Sequence, residues 1–256
     1  MASPFDKIHY YPYYYRKYGS EIRENSVEAK YSQAAISKGF LVSFFRTDQK
    51  KPSRYFSLFP SIRKFLDWYA TLAPDQKSVF EIIRESKPQK MRFDFEVMRD
   101  SPLTLPKIKR AFEATIAATV AVFKEKYDVT LSLKKDFIIC DSSSKEKFSR
   151  HIILPRYYFS NAAQTRALFK DIVARLPQDY RAYQAGGKTK KILDDMVYGS
   201  FQHFRMTDSG KIEAKGNVSR HKKILDSWIF RKTRVVSKHD LKDTIVTWVS
   251  AAKKLA

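Results

Sequence analysis

The sequence predicts an α+β protein, and its larger part follows the order β-α-β-β-α-β, the split βαβ or ferredoxin-like arrangement. Three observations carry this expectation. An apolar strand, KMRFDFEVM (90–98), is followed by a long Ala-rich helix, IKRAFEATIAATVAVFKEKY, beginning near Pro106. Two strands come next, DFIICD (136–141) and KFSRHIIL (147–154), separated by the turn-rich SSSKE. Helical spacing then returns in NAAQTRALFKDIVARL, and DDMVY and FQHFRM supply the closing extended segments. In this topology the first and third strands are central neighbours, and the fourth lies on the first strand's other side. Both helices cover one face, leaving the opposite face open for binding or chemistry.

The preceding residues predict a small α/β lobe over 1–88, and residues 89–256 the split βαβ lobe, the two forming one functional unit over 1–256. Ser26 to Lys38 reads as a helix, with Ser26 as N-cap and Gly39 as its stop. FLVSFFR and SRYFSLF read as strands, SIRKFLDWYATL as a helix after Pro60, and SVFEIIR as a further strand. The opening HYYPYYYRKY is aromatic and basic, which suits either an arm packed on the core or a base-stacking surface. The ending, HDLKDTIVTWVSAAKKLA, reads as a basic helix.

Charge narrows the partner. With 49 Lys and Arg against 27 Asp and Glu, the net charge is +22, and such a field favours a polyanion, nucleic acid first. No run of about 18 apolar residues is present, and the first residues lack a secretory apolar core, so an intracellular chain without a membrane partner is expected. The single cysteine, Cys140, excludes an internal disulfide and any zinc site with two or more Cys ligands. Only 7 glycines occur, and GGKTKK (186–191) is no P-loop, because Ala182 stands where its first glycine belongs. A bound phosphate must therefore be held by side chains.

The chemistry concentrates on two strands. Side chains alternate along a strand, so Asp94 and Glu96 share a face, with Cα atoms roughly 6.5–7 Å apart, while Phe93, Phe95 and Val97 point the other way. Paired carboxylates suit hard divalent cations, although solvated strand charges bonded to Arg92 or Arg99 would have the same spacing. On the third strand Lys147, Ser149 and His151 share a face that adjoins the carboxylates in the expected topology. A lysine, a hydroxyl and an imidazole in a row can clamp a triphosphate without glycine. A Ser149–His151 hydrolase is disfavoured, because residues i and i+2 of a strand stand parallel and nothing marks an oxyanion hole.

At these residues the sequence resembles the archaeo-eukaryotic primase superfamily, especially the eukaryotic primase-polymerases called PrimPol and related primases of large DNA viruses. RFDFEV resembles their D-x-E motif, DSSSKEKFSRHIIL their extended S-x-H motif, and DDMVYGSFQHFRMTDSGK their third, in the same order. Weaker similarity runs from about Arg54 to about Lys211. The resemblance implies a primase catalytic core and two Mg²⁺ or Mn²⁺ ions on Asp94, Glu96 and an acidic residue of the third motif. The four-residue offset to Tyr198 selects Asp194 over Asp195, a choice on which strand alternation is silent. It further implies phosphate contacts from Ser142, Lys147, Ser149 and His151, joined by Arg205 and Lys211, with Arg54 near the nucleotide and template base. Two departures stand out. The family's C-terminal Cys/His zinc module has no counterpart here, which favours primer extension over de novo priming, and Phe201, Gln202 and His203 replace an Asn/Arg-rich approach to the F-R pair.

The expected function is a template-directed nucleotidyltransferase, a DNA primase or DNA polymerase that adds nucleotides to a 3′-hydroxyl by a two-metal mechanism. Expected partners are single-stranded DNA template, primer, dNTPs or NTPs, and a helicase or single-strand-binding protein, with the chain a monomer at an intracellular site of DNA replication. KGNVSRHKK (215–223) is an expected template-binding run. Two rivals are a non-catalytic single-strand-binding module and a two-metal nuclease. The first leaves the carboxylates unexplained, and the second has little use for a triphosphate clamp.

Overall fold

Most of these runs become elements near their expected limits in the computed structural model, which describes residues 3–49, 51–213 and 216–255. A short hairpin, β1 (Lys17–Tyr18) and β2 (Glu21–Ile22), comes first. The helix expected from Ser26 to Lys38 is two helices, α1 (Val27–Lys30) and α2 (Gln33–Lys38). Ser26 and Ser32 each cap one, accepting from the N–H of Ala29 and Ala35, so the second serine restarts what the first began. Then follow β3 (Phe40–Arg46), β4 (Ser53–Phe59), α3 (Ile62–Ala70), β5 (Val79–Arg84) and β6 (Gln89–Met98). The long helix α4 (Leu105–Tyr127) takes Pro at its first turn, where no backbone donor is lost. After it come β7 (Ile138–Asp141), β8 (Lys147–Phe159), α5 (Ala162–Ala174), a hairpin of β9 (Ala182–Ala185) and β10 (Lys188–Lys191), and β11 (Phe201–Arg205). Helices interleave with strands in an α+β architecture of mainly antiparallel sheets. Among the described residues no helix is long and apolar enough to cross a membrane.

The chain divides into two compact units, Met1–Ile82 with His203–Lys222, and Ile83–Gln202 with Lys223–Ala256. In the first, a four-stranded sheet runs β11-β5-β3-β4. β3 pairs antiparallel with β4 along its whole length, from Phe40 opposite Phe59 to Arg46 opposite Ser53. Phe44 lies between the stacked ring of Phe5 (5.5 Å) and Trp68 of α3 (5.5 Å), and all three are buried.

In the second unit β6 and β7 flank β8, both antiparallel to it. Phe93 meets Phe169 of α5 (6.1 Å) and Phe95 meets Phe112 of α4 (5.6 Å), so both helices pack on the face that the alternation makes apolar. Helix α5 starts where Asn161 caps the N–H of Gln164. The neighbouring of the first and third strands of the motif is as the sequence implies.

Three expectations fail. FQHFRM does not lie beside β6, since β11 joins β5 in the first unit's sheet and residues 203–222 belong there rather than to a lobe over 89–256. The flank of β6 is taken by residues 192–194, where Leu193 bridges Phe95 and the Glu96 N–H donates to the Ile192 carbonyl (2.9 Å). DDMVY is then diverted into a 3₁₀ turn at Met196–Tyr198, pinned because the buried Arg92 guanidinium donates to the Val197 carbonyl and the Tyr198 hydroxyl donates to the Arg92 carbonyl. Finally, the basic C-terminal helix is absent. A 3₁₀ turn at Leu241–Thr244 leads to a two-residue strand, Lys253–Lys254, parallel to β8 at Tyr157 and Tyr158. The β-branched run Thr244 to Thr247 disfavours a helix, and Ile245 and Val246 are instead fully buried.

Candidate functional site

Alternation along β6 sends Phe93, Phe95 and Val97 into the core and leaves Asp94 and Glu96 partly exposed on the other face. The register with β8 then decides what faces them. His151 stands directly opposite Asp94, Ser149 opposite Glu96, and Lys147 opposite Met98. The carboxylate pair and the Lys/Ser/His row are therefore cross-strand neighbours, within the few ångströms at which such side chains interact. His151 and Ser149 are buried, at 7% and 1% exposure. The Lys147 ammonium reaches back to the Glu96 carboxylate, an ion pair with the lysine side chain only 13% exposed.

Ser142 is brought to the same row by the turn after β7. Its Oγ lies 2.8 Å from Ser149 Oγ, and its N–H donates to the Ser149 carbonyl (3.1 Å). Ser143, which the sequence reading did not single out, braces this turn, because its Oγ accepts from the Ser149 N–H (3.0 Å) and donates to the Ser149 carbonyl (3.2 Å). The signal was available in the run of three serines after a strand, since serine side chains bond to nearby backbone in turns. The guanidinium of Arg99 is also employed in this loop, donating from Nε to the Ser144 carbonyl (3.1 Å).

Asp194 follows the segment that flanks β6, and its N–H donates to the Asp94 carbonyl (3.0 Å). Its Oδ1 accepts from the Met196 N–H (2.9 Å). Asp195 is bonded to Lys191 (2.8 Å), and that bond holds its carboxyl below the usual range. Three carboxylates thus occur in one backbone neighbourhood, and hard oxygen donors of this kind suit Mg²⁺ or Mn²⁺. Their side chains are not gathered, however. Among the described residues no group of three or more His, Cys, Asp or Glu is placed to hold a metal ion, and Glu96 is engaged by Lys147.

Arg54, Arg205 and Lys211 belong to the first unit. The Arg54 guanidinium lies over the rings of Phe45 (4.9 Å) and Phe80 (5.3 Å), and its Nη1 is 3.4 Å from His203 Nδ1. The Ser43 hydroxyl is 2.8 Å from the same nitrogen. Arginine can only donate, so Nδ1 carries its lone pair and the proton sits on Nε2. Burial first, and the charge of Arg54 second, push the His203 pKa down to about 4. Arg205 is buried, and its Nη1 donates to the Arg220 carbonyl (2.6 Å). Lys211 pairs with Ser219 in a two-stranded ribbon.

The expected template run also contributes to the interior. Arg220 pairs with Glu213 (2.8 Å), His221 Nε2 lies 2.8 Å from the Pro74 carbonyl, and Lys222 is 1% exposed over the Phe204 ring (4.3 Å). Lys215 lies outside the described residues.

No family model matches the chain. One curated protein, of African swine fever virus and named "Putative helicase/primase complex protein", is 23% identical over 198 residues, covering 73% of this chain. The chain spans 18% of that protein's length. This is a distant similarity to a viral protein whose name includes a helicase and a primase.

Proposed function

We propose that the chain is a template-directed nucleotidyltransferase of the primase-polymerase type, built on a primase-like catalytic core. One observation carries the reading: the β6–β8 register sets Asp94 against His151 and Glu96 against Ser149, with Ser142 and Lys147 on the same row. Carboxylates for cations and a Lys/Ser/His row for phosphates are the two halves that transfer of a nucleotide to a 3′-hydroxyl requires. Ser142, Ser149 and His151 would orient the triphosphate through directional bonds, and Lys147 would neutralise part of its charge. Two Mg²⁺ or Mn²⁺ ions on Asp94, Glu96 and Asp194 would lower the hydroxyl's pKa and stabilise the departing pyrophosphate. The distant similarity to a viral protein named for a helicase/primase complex supports the same reading, with a helicase as partner and an intracellular replication site as its place of work.

A second reading, a single-strand-binding module without catalysis, is favoured by the Lys147–Glu96 pair and the dispersed carboxylates. One experiment separates them. The protein is given a single-stranded template, with and without primer, plus dNTPs or NTPs and Mg²⁺ or Mn²⁺, beside an Asp94→Ala, Glu96→Ala double variant. Elongation by the wild type alone is expected. No product under any condition, or equal product from the variant, overturns the proposal, and metal-dependent shortening without nucleotide would mark a nuclease.

A further inference from the structure

Eight large apolar residues stand exposed among those described, and four of them, Tyr13, Tyr15, Tyr18 and Ile22, fall between residues 13 and 22. Concentrated exposed aromatic surface on one short segment marks an interaction site rather than chance. The segment is tied down. Tyr11 exchanges backbone hydrogen bonds with Phe56 of β4 (both 2.8 Å), and Tyr13 accepts from the Val27 N–H (3.1 Å). Tyr14 turns inward to 6% exposure, against the Phe56 ring (6.2 Å). Its neighbours Tyr13 and Tyr15 consequently turn outward, at 39% and 43%, and Tyr18 on β1 reaches 67%. Packed arm and stacking surface are thus divided between alternate tyrosines of one segment.

The outward rings are already arranged for stacking. The Arg23 guanidinium lies 4.2 Å from the Tyr13 centroid and 4.9 Å from that of Tyr18, a planar cation against two rings. Its charge is offset by Glu21 (2.7 Å), and that of Arg16 by Glu24 (3.0 Å). What this surface offers is therefore flat π faces more than net charge. An unpaired nucleobase is the ligand that such faces fit, and a chain of net charge +22 draws the polyanion that carries it.

We propose that the outward face of the β1–β2 hairpin segment, Tyr13, Tyr15 and Tyr18 with Arg23, is a base-stacking platform for single-stranded nucleic acid. The proposal rests on the reading of the chain as template-dependent and names where an unpaired strand is gripped. Stacking energy is independent of salt, whereas phosphate contacts release counterions, so the two are separable.

The test measures binding of the full chain to a fluorescent dT₂₀ by anisotropy, without nucleotide or metal, over a range of salt concentrations. A Tyr15→Ala, Tyr18→Ala variant is expected to bind roughly 10-fold or more weakly with an unchanged salt slope. Tyr15→Phe, Tyr18→Phe is expected to bind like the wild type, and on an abasic strand of equal length wild type and the Ala variant should bind alike. Unchanged dT₂₀ affinity, equal loss on the abasic strand, or a reduced salt slope overturns the platform, and the first result would point to a protein partner for this face. Asp94→Ala, Glu96→Ala should retain both the binding and its sensitivity to the tyrosines. A chain that extends no primer yet shows the tyrosine effect would sink the catalytic reading alone.

Discussion

His203 replaces part of the segment in which the resembled family carries Asn and Arg, and its surroundings explain how an imidazole is tolerated there. Phe56 and Phe80 flank it at 5.9 and 6.5 Å, Ser43 and Arg54 bond to Nδ1, and burial keeps the ring neutral. The unfolded chain binds a proton near pH 6.5, and the folded chain only near pH 4. Stability is therefore fully present above pH 6.5 and is lost as pH falls towards 4, where the unfolded state holds the extra proton. His203→Gln removes this titration. The unfolding free energies from urea curves at pH 7 and pH 4.5 should differ more in the wild type than in the variant, by an excess on the order of 1–3 kcal/mol. Parallel curves would show that the imidazole titrates alike in both states. The sequence marked the position as a departure, but the neutral tautomer depends on Ser43 and Arg54, far away in the chain.

The pairing of β6 with β8 makes a further effect visible, because Lys147 on one strand is bonded to Glu96 on the other. The same ammonium is proposed to meet the triphosphate and Glu96 to hold a divalent ion, so under that proposal the lysine would compete with the ion while assisting the nucleotide. Lys147→Met should tighten Mn²⁺ binding in the absence of nucleotide, read as free Mn²⁺ by electron paramagnetic resonance, and raise the KM for nucleotide roughly 10-fold or more. Movement of both affinities in the same direction would contradict the competition. At this scale much was legible. β3 and β4 match their apolar runs residue for residue, and alternation in RFDFEV correctly separated the carboxylates from the core phenylalanines. What could not be read was the partner of a strand. FQHFRM is extended as expected, yet its place beside β5 depends on the Arg92 and Tyr198 contacts that turn the preceding residues out of line. Asp194 was selected only through the offset that the resemblance implies, and its backbone approach to Asp94 is made by irregular chain that no periodicity marks.

Across the whole molecule the charge of +22 is unevenly available, because residues such as Lys222 and Arg205 are buried and others, including Arg46 with Asp48 (2.7 Å), are paired. The proposed binding to single-stranded DNA is expected to weaken steeply with salt. Between 50 and 200 mM a loss of roughly 10- to 100-fold is expected, as a few neutralised phosphates give a slope of about −0.7 each. A flat response in a filter-binding titration would show that the net charge serves something other than nucleic acid. The charge and the α+β class were plain from composition and pattern, whereas the boundary of the units was not, because each is made from two separated stretches of chain. That discontinuity bears on biogenesis. The first unit lacks β11 until residue 205 has been made, and β8 lacks its parallel neighbour until Lys253–Lys254 have been made. Until those residues are made both sheets keep open edges, so the nascent chain offers unpaired strands to chaperones or to other copies of itself.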